Sequence, residues 1–223
     1  MTIAQHISII KSLLRSLTDD TNYTDEFIYA LLNSHRALVL REYYKNNNNI
    51  SHFNWQLVCV NLIKSTVHDD CPCAPEDDCK ILRTGVKIPV PISAGGNPLL
   101  KVRTFDGKTI PFLALEKALN KHLYKHLKNK IVYTISNGYL FVLGTNTLRA
   151  IMIDGIFEDP SALSEITMCD VSGEPTTVCF NILETDYPLD LFLEPVVRKQ
   201  ILEDLSRSLG IPKDVINDTQ STT

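Results

Sequence analysis

The dipeptide Asn137-Gly138, set between the apolar runs 130–135 and 139–143, constrains this chain more tightly than any other short stretch. Both residue types tolerate positive φ, and a two-residue turn of that kind joins antiparallel strands with matched twist. Part of the chain is therefore committed to an antiparallel ladder. Asp106-Gly107, between residues 102–105 and 109–112, predicts a second hairpin with the same two-residue turn.

Other segments carry a different period. Thr2 with Gln5 makes a capping-box pattern, and Ile3, Ile7, Ile10, Leu13, Leu14 and Leu17 recur at helical spacing, predicting a helix to about residue 17. Asp19, Asp20 and Asn22 break it. Thr24, followed by Asp25 and Glu26, caps a second helix with an apolar stripe of Phe27, Ile28, Leu31, Leu32, Leu38 and Val39, ending near Tyr44 before the polar run 46–49. From Trp55 to Leu62 the composition turns β-branched and aromatic, predicting a strand apolar on both faces. Residues 81–92 read as extended, because Pro89 and Pro91 forbid a helix. Leu115, Ala118, Leu119, Leu123 and Leu127 return to helical spacing over 113–127, and 148–157 reads as a further strand. A last helix runs from Pro195 to about residue 209, with Ile201, Leu202, Leu205 and Leu209 as its stripe and Gly210 and Pro212 as its stop. The fold class expected is α+β: a helical frame, made of an N-terminal helical hairpin and a long C-terminal helix, carrying a small, mostly antiparallel sheet of hairpins. The expected segments are 1–50, 51–192 and 193–223, integrated into one domain, with no internal repeat.

Composition bounds the function. The 44% hydrophobic and 22% charged residues of the 223-residue chain are those of an ordinary globular protein. Its longest apolar runs, 57–60 and 150–153, are far too short to span a bilayer. The first residues lack a basic start before their apolar stretch, so a soluble protein made inside the cell is expected. The net charge of −4 argues against a dedicated nucleic-acid binder, yet it is unevenly spread. Residues 1–149 carry 18 Lys/Arg against 12 Asp/Glu, whereas 150–197 hold ten acids and no Lys, Arg or His. A basic part and an acidic part suit copies that meet through unlike surfaces, the head-to-tail contact that closes into rings; the plainer alternative is two solvated faces.

Candidate chemistry is sparse. Residues 71–80, CPCAPEDDCK, place three of the six cysteines in nine residues, with His68 upstream. A structural zinc site uses pairs spaced C-x2-4-C, and Cys71-Pro72-Cys73 is too tight for such a knuckle while Cys79 lacks a neighbour. His68, Cys71, Cys73 and Cys79 are a formal set of four zinc ligands, but Pro72, Pro75 and the acids Glu76, Asp77 and Asp78 favour a solvated loop. His122 and His126 stand at i and i+4 on the expected third helix without the glutamate of H-E-x-x-H. Lys117, Lys121, Lys125, Lys128 and Lys130 surround them, so a basic helix face that meets phosphate or an acidic partner is expected rather than a metal centre. No phosphate-binding loop, dinucleotide fingerprint or nucleophile elbow is present, and no enzymatic role or cofactor is expected.

Six segments together carry a resemblance: IYALLNSHRALVLRE, KILRTGVKIPVPIS, YTISNGYLFVLG, GIFEDPSAL, YPLDLFLEPVVRKQILEDL and IPKDVINDTQ. In this order the chain resembles, from about residue 7 to 218, the head-to-tail connector or ring (adaptor) proteins of tailed bacteriophages. The likeness is in particular to those of crAss-like phages of gut Bacteroidetes and their podovirus portal-adaptor relatives. The resemblance implies a structural protein of the virion, made in the host cytoplasm. It would form a ring, typically of twelve copies, docked beneath the portal protein at the portal vertex and continuing the DNA channel. Its implied partners are copies of itself, the portal, neighbouring tail and ring proteins and the passing genomic DNA, with no membrane. The contact residues expected on this view are Arg36 and Arg41 on the second helix, and Lys117, Lys121 and Lys125 on the basic helix, which faces DNA or an acidic neighbour. Arg198, Pro212, Asp214, Asn217 and Asp218 belong to the C-terminal helix and tail, expected to reach an adjacent subunit or the portal. An internal or cargo protein that binds DNA and a small zinc protein are the competing classes.

Overall fold

The computed structural model describes residues 1–17, 23–46, 51–65, 81–127, 129–166, 168–169, 175–176 and 182–208. It is α+β, and the described residues contain four α-helices: α1 (Ile3–Leu17), α2 (Asp25–Asn46), α3 (Leu115–Leu119) and α4 (Glu194–Ser208). The capping box at α1 forms as expected: Gln5 N–H donates to Thr2 Oγ1 at 3.3 Å and Thr2 N–H donates to Gln5 Oε1 at 3.0 Å. Thr24 Oγ1 accepts from Phe27 N–H at 3.3 Å and starts α2.

The strands are β1 (Gln56–Ser65), β2 (Ile81–Thr84), β3 (Ser93–Ala94), β4 (Asn97–Pro98), β5 (Leu100–Arg103), β6 (Thr109–Ile110), β7 (Val132–Ser136), β8 (Tyr139–Leu143), β9 (Ala150–Gly155), β10 (Met168–Cys169) and β11 (Pro175–Thr176). Seven of them form one antiparallel sheet in the order β6-β5-β9-β1-β2-β8-β7, larger than the small sheet expected. The two outermost strands then approach each other. Just past β6, Phe112 pairs in parallel with Tyr133 of β7; Tyr133 N–H donates to Pro111 O at 3.0 Å and Leu113 N–H donates to Tyr133 O at 2.8 Å. The sheet is thus nearly a barrel, which leaves few unpaired strand edges. Tyr133 Oη donates across to Leu100 O at 3.1 Å, so its hydroxyl is satisfied although the residue is buried.

The turn chemistry divides the two hairpins. At Asn137-Gly138 both residues have positive φ (50° and 81°), and Ser136 pairs with Tyr139, giving the two-residue turn read from the sequence. At Asp106-Gly107 only Gly107 has positive φ, 82°, and Thr104 N–H donates to Lys108 O at 2.9 Å. That connection is a three-residue loop with its glycine in the left-handed position, because aspartate here stays right-handed while its carboxylate takes Thr104 Oγ1 and Lys108.

Two further expectations change. β1 is apolar on both faces in sequence, but of its apolar residues the curved wall buries Val58, Val60 and Leu62 and leaves Leu57 and Ile63 exposed on the outside. The helical spacing of 113–127 yields only five residues of α-helix, a 3₁₀ turn at Lys121–Leu123 and turns beyond. A straight helix of that length would run about 22 Å in one direction. Leu113 is already bonded beside Tyr133 and β7 begins at Val132, so the connection has to double back, and Asn120 ends the helix by donating to Glu116 O at 3.1 Å.

Two apolar clusters result. One joins α1, α2 and α4 through Ile10, Ile28, Leu32, Leu40, Val197 and Ile201, with Ile92, Ile156 and Tyr187 reaching into it. The other fills the barrel with Val60, Leu82, Val102, Leu140, Ile151 and Ile153. The helices sit at the barrel end where Gln56 pairs with Gly155. The proline-rich stretch supports that end: Ile92 N–H donates to Ile156 O at 2.8 Å and Glu158 N–H to Val90 O at 2.9 Å, while Pro89 and Pro91 occupy positions that need no donor.

Candidate functional site

The helices and the barrel meet on one buried charge. Arg36, on the inner face of α2, is 0% exposed; its Nε donates to Pro188 O at 3.0 Å and its Nη1 to Phe157 O at 2.7 Å. Its guanidinium carbon lies 5.5 Å from the centre of the Tyr187 ring. Earlier on α2, Tyr29, two turns before Arg36, donates from Oη to Asp159 Oδ1 at 2.9 Å, and Asn33, one turn before it, donates from Nδ2 to the same oxygen at 3.3 Å; Tyr187 Oη donates to Asn33 Oδ1 at 3.0 Å. One turn later, Arg41 pairs with Glu158 at 3.2 Å. Every α2 side chain in this set reaches the turn that follows β9 or the segment leading to α4. Burial pushes the Arg36 guanidinium below its ordinary pKa and the Tyr187 phenol above its own; with carbonyl dipoles and aromatic faces as its neighbours, the arginine stays protonated. This network fixes the angle between two layers. At its rim Asp159 Oδ1 also accepts from Ser161 N–H at 2.9 Å and from Ser161 Oγ at 2.7 Å, so this carboxylate is spent on holding the turn after β9 against α2.

The charge segregation along the chain is partly consumed inside the subunit. Asp154 pairs with Arg103, Glu158 with Arg41, Asp186 with the Met1 amino group at 3.8 Å, and Glu194 with Arg198. His6 Nδ1 lies 3.3 Å from Glu194 Oε1, but that carboxylate is already held by Arg198. Burial, then Arg198 and the chain's amino group, lower the His6 pKa to about 4, so the imidazole is neutral near pH 7. The unlike-surface expectation therefore rests on the charges that remain outside these pairs.

Two expected contact residues prove to be internal. Arg36 is the buried anchor just described, because the helix face it shares with Leu32 and Leu40 turns inward. Lys121 is 8% exposed, and its ammonium donates to Lys130 O and lies 3.5 Å from Leu143 O, filling the space beside Gly144. Arg41 stays at the surface, and Arg198 is tied along α4 to Glu194. Lys117, Lys125 and Lys130 are exposed. His126 is exposed in a turn rather than on the helix expected for it. His68, Cys71, Cys73, Cys79, Pro212, Asp214, Asn217 and Asp218 lie outside the described residues. Among the described residues no group of three or more His, Cys, Asp or Glu side chains is arranged to hold a metal ion. No helix among them is long and apolar enough to cross a membrane.

The surface carries features that sequence reasoning missed. Leu38, expected in the buried stripe of α2, is 48% exposed, because it stands in line with Ser34, Arg41 and Lys45 on the exposed side of α2. It lines a groove of about 210 Å³ with His35, Glu42, Gln200, Glu203 and Asp204 between α2 and α4. Val196 (44% exposed) lies one turn before Gln200 on α4, and Phe192 (52%), just before the helix begins, meets Tyr43 in a tilted ring contact with centroids 5.3 Å apart. The groove thus continues as an apolar strip. At the other end of the molecule, Leu123 (70% exposed) and Tyr124 (46%) project from the turns after α3, beside Lys117 and Lys125. An apolar residue outside the i, i+3, i+4 pattern of a buried stripe is the sequence signal for Leu38; the lip at Leu123 has none, since it exists only because the helix stops.

Two comparisons with known proteins bear on this surface. The sequence matches the family described as phage tail ring protein 2 over residues 5–222. It is also similar to a curated protein, Ring protein 2 of Bacteroides phage crAss001, at 25% identity over 227 residues, spanning 99% of this chain and 97% of that one.

Proposed function

The chain belongs to the phage tail ring protein 2 family, and from that premise we propose that it is a structural ring subunit of the head-to-tail connector. In this reading the ring lies below the portal, continues the DNA channel and joins the capsid vertex to the tail, with twelve copies. The observation that carries the proposal is the match over residues 5–222, which involves both layers of the fold rather than one motif. The physics of the subunit supports it: Arg36 and the Asp159 network brace helices against barrel, and a ring under load needs a rigid, integrated unit. The exposed lysines after α3 and the acids of the α2–α4 groove leave unlike surfaces for neighbours. No reaction or cofactor is part of this function.

Imaging of purified particles tests it. Density for this fold in a closed ring between portal and tail is the expected result, and a chain found among packaged contents or absent from particles overturns it. Light scattering of the purified protein, alone and with portal, gives the second readout: a large oligomer in at least one of the two conditions. Tight DNA binding with a steep salt dependence would instead favour an internal DNA-binding protein.

A further inference from the structure

We infer that the apolar strip between α2 and α4 of one copy seats the lip after α3 of the next copy. The inference rests on the ring reading above and adds the two surfaces and their pairing.

The strip presents Leu38, Val196 and Phe192, all more than 40% exposed, extended by Leu191 at 71% and Phe53 at 76%. Contiguous apolar side chains on a polar rim mark an interaction surface rather than ordinary solvent-facing residues. The groove is lined by the carboxylates of Glu42, Glu203 and Asp204; Glu203 also lies 3.8 Å from Lys199, and Asp204 3.7 Å from Arg207 and 3.2 Å from His35, but such exposed pairs are weak and leave both carboxylates accessible to a neighbour. The lip offers the complement: Leu123 (70% exposed) and Tyr124 (46%) are followed directly by the exposed Lys125, with the exposed Lys117 on the preceding α3. Apolar meets apolar, and carboxylate meets ammonium.

Symmetry decides between arrangements. Strip against strip would oppose acid to acid, and lip against lip would oppose lysine to lysine, so two-fold self-pairing of either surface is disfavoured. Strip against lip is heterologous, the kind of contact that closes into a ring when each copy is rotated by a fixed angle. A single copy cannot satisfy both surfaces itself. The helices dock where Gln56 pairs with Gly155, whereas Lys121 beneath the lip bonds near Leu143, which is level with Val132 and adjoins the Val142, Leu82 and Lys64 row at the far end of the sheet. Along β1, from Gln56 toward Ser65, that separation is about 30 Å of strand.

Zero-length carbodiimide crosslinking of purified virions, read by mass spectrometry, tests the pairing on the protein in its assembled state. Links from Lys117 or Lys125 to Glu42, Glu203 or Asp204 are expected, and they can only join different copies, because the groups within one copy are at opposite ends. Particles that contain the chain but give no such link overturn the pairing and leave the ring reading standing. A chain missing from the particles overturns the ring reading, and the pairing with it.

Discussion

Replacing Arg36 by Met is the most informative single perturbation, because it removes the charge while keeping most of the side-chain volume. Phe157 O and Pro188 O would lose their donors at 2.7 and 3.0 Å and remain buried. A buried carbonyl left unpaired costs about 1–3 kcal/mol, so the two together cost about 2–6 kcal/mol. The variant also escapes the desolvation of a buried guanidinium, a relief of about 1–4 kcal/mol where ions are exchanged for apolar groups. The midpoints leave a net loss of about 1.5 kcal/mol, or a fall in Tm of about 3–6 °C at the entropy of unfolding of a chain this size. Urea unfolding gives the number. Trp55, the sole tryptophan, packs at the edge of the helical cluster with Lys101 over its ring at 4.5 Å, so its fluorescence reports on the junction while far-ultraviolet dichroism reports on the helices. The two probes should agree in the wild type and separate in Arg36→Met, with the helices melting first. Arg36→Lys, which keeps the charge but not the two-pronged geometry, should be destabilised by at least as much. If both variants stay within about 0.5 kcal/mol of wild type and unfold in one transition, Arg36 does not brace the two layers.

His6 sets a pH dependence: its folded pKa is about 4 against 6.5 when unfolded. Its contribution is complete above pH 6.5 and is lost as pH falls toward 4, where only the unfolded chain takes up the proton. The stability of wild type minus that of His6→Gln should fall by about 3 kcal/mol between pH 7 and 4, and a flat difference would refute this. Gly144 has φ 96°, and a Cβ there would lie 2.7 Å from Lys130 O as well as against the Lys121 ammonium. Gly144→Ala should cost at least about 1–3 kcal/mol in urea unfolding, and a neutral result would mean that Lys121 is not seated beneath the lip. The cysteine-rich stretch is expected to bind no structural metal, so a chelator should leave the melting temperature unchanged; one zinc per chain by elemental analysis would show otherwise.

Local chemistry made some features legible in advance. The Asn137-Gly138 hairpin, the caps at Thr2 and Thr24 and the span of α4 depend on residues within a few positions of one another, and each forms as read. The Asp106-Gly107 loop and the segment 113–127 differ from their reading for two reasons: the Asp106 carboxylate binds Thr104 and Lys108 and so favours the three-residue loop, whereas 113–127 satisfies its helical pattern but the adjoining strands dictate the path between its ends. Two of the segments quoted in the resemblance, IYALLNSHRALVLRE and GIFEDPSAL, meet each other through Tyr29, Asn33, Arg36 and the surface residue Arg41.

The amino-acid order by itself determined the mixture of helix and antiparallel strand, the positions of the long helices and the uneven spread of charge, since these follow from period, turn residues and composition. Only the tertiary structure decided that the seven strands curl until the ends meet, that Arg36 and Lys121 turn inward and that Leu38 and Leu123 turn outward. The physical reason is that burial is a property of a face with a partner. In α2, Leu38 is as apolar as Leu32 and Leu40, yet only the latter two meet a partner; packing against α1, α4 and the barrel decides which leucines are covered.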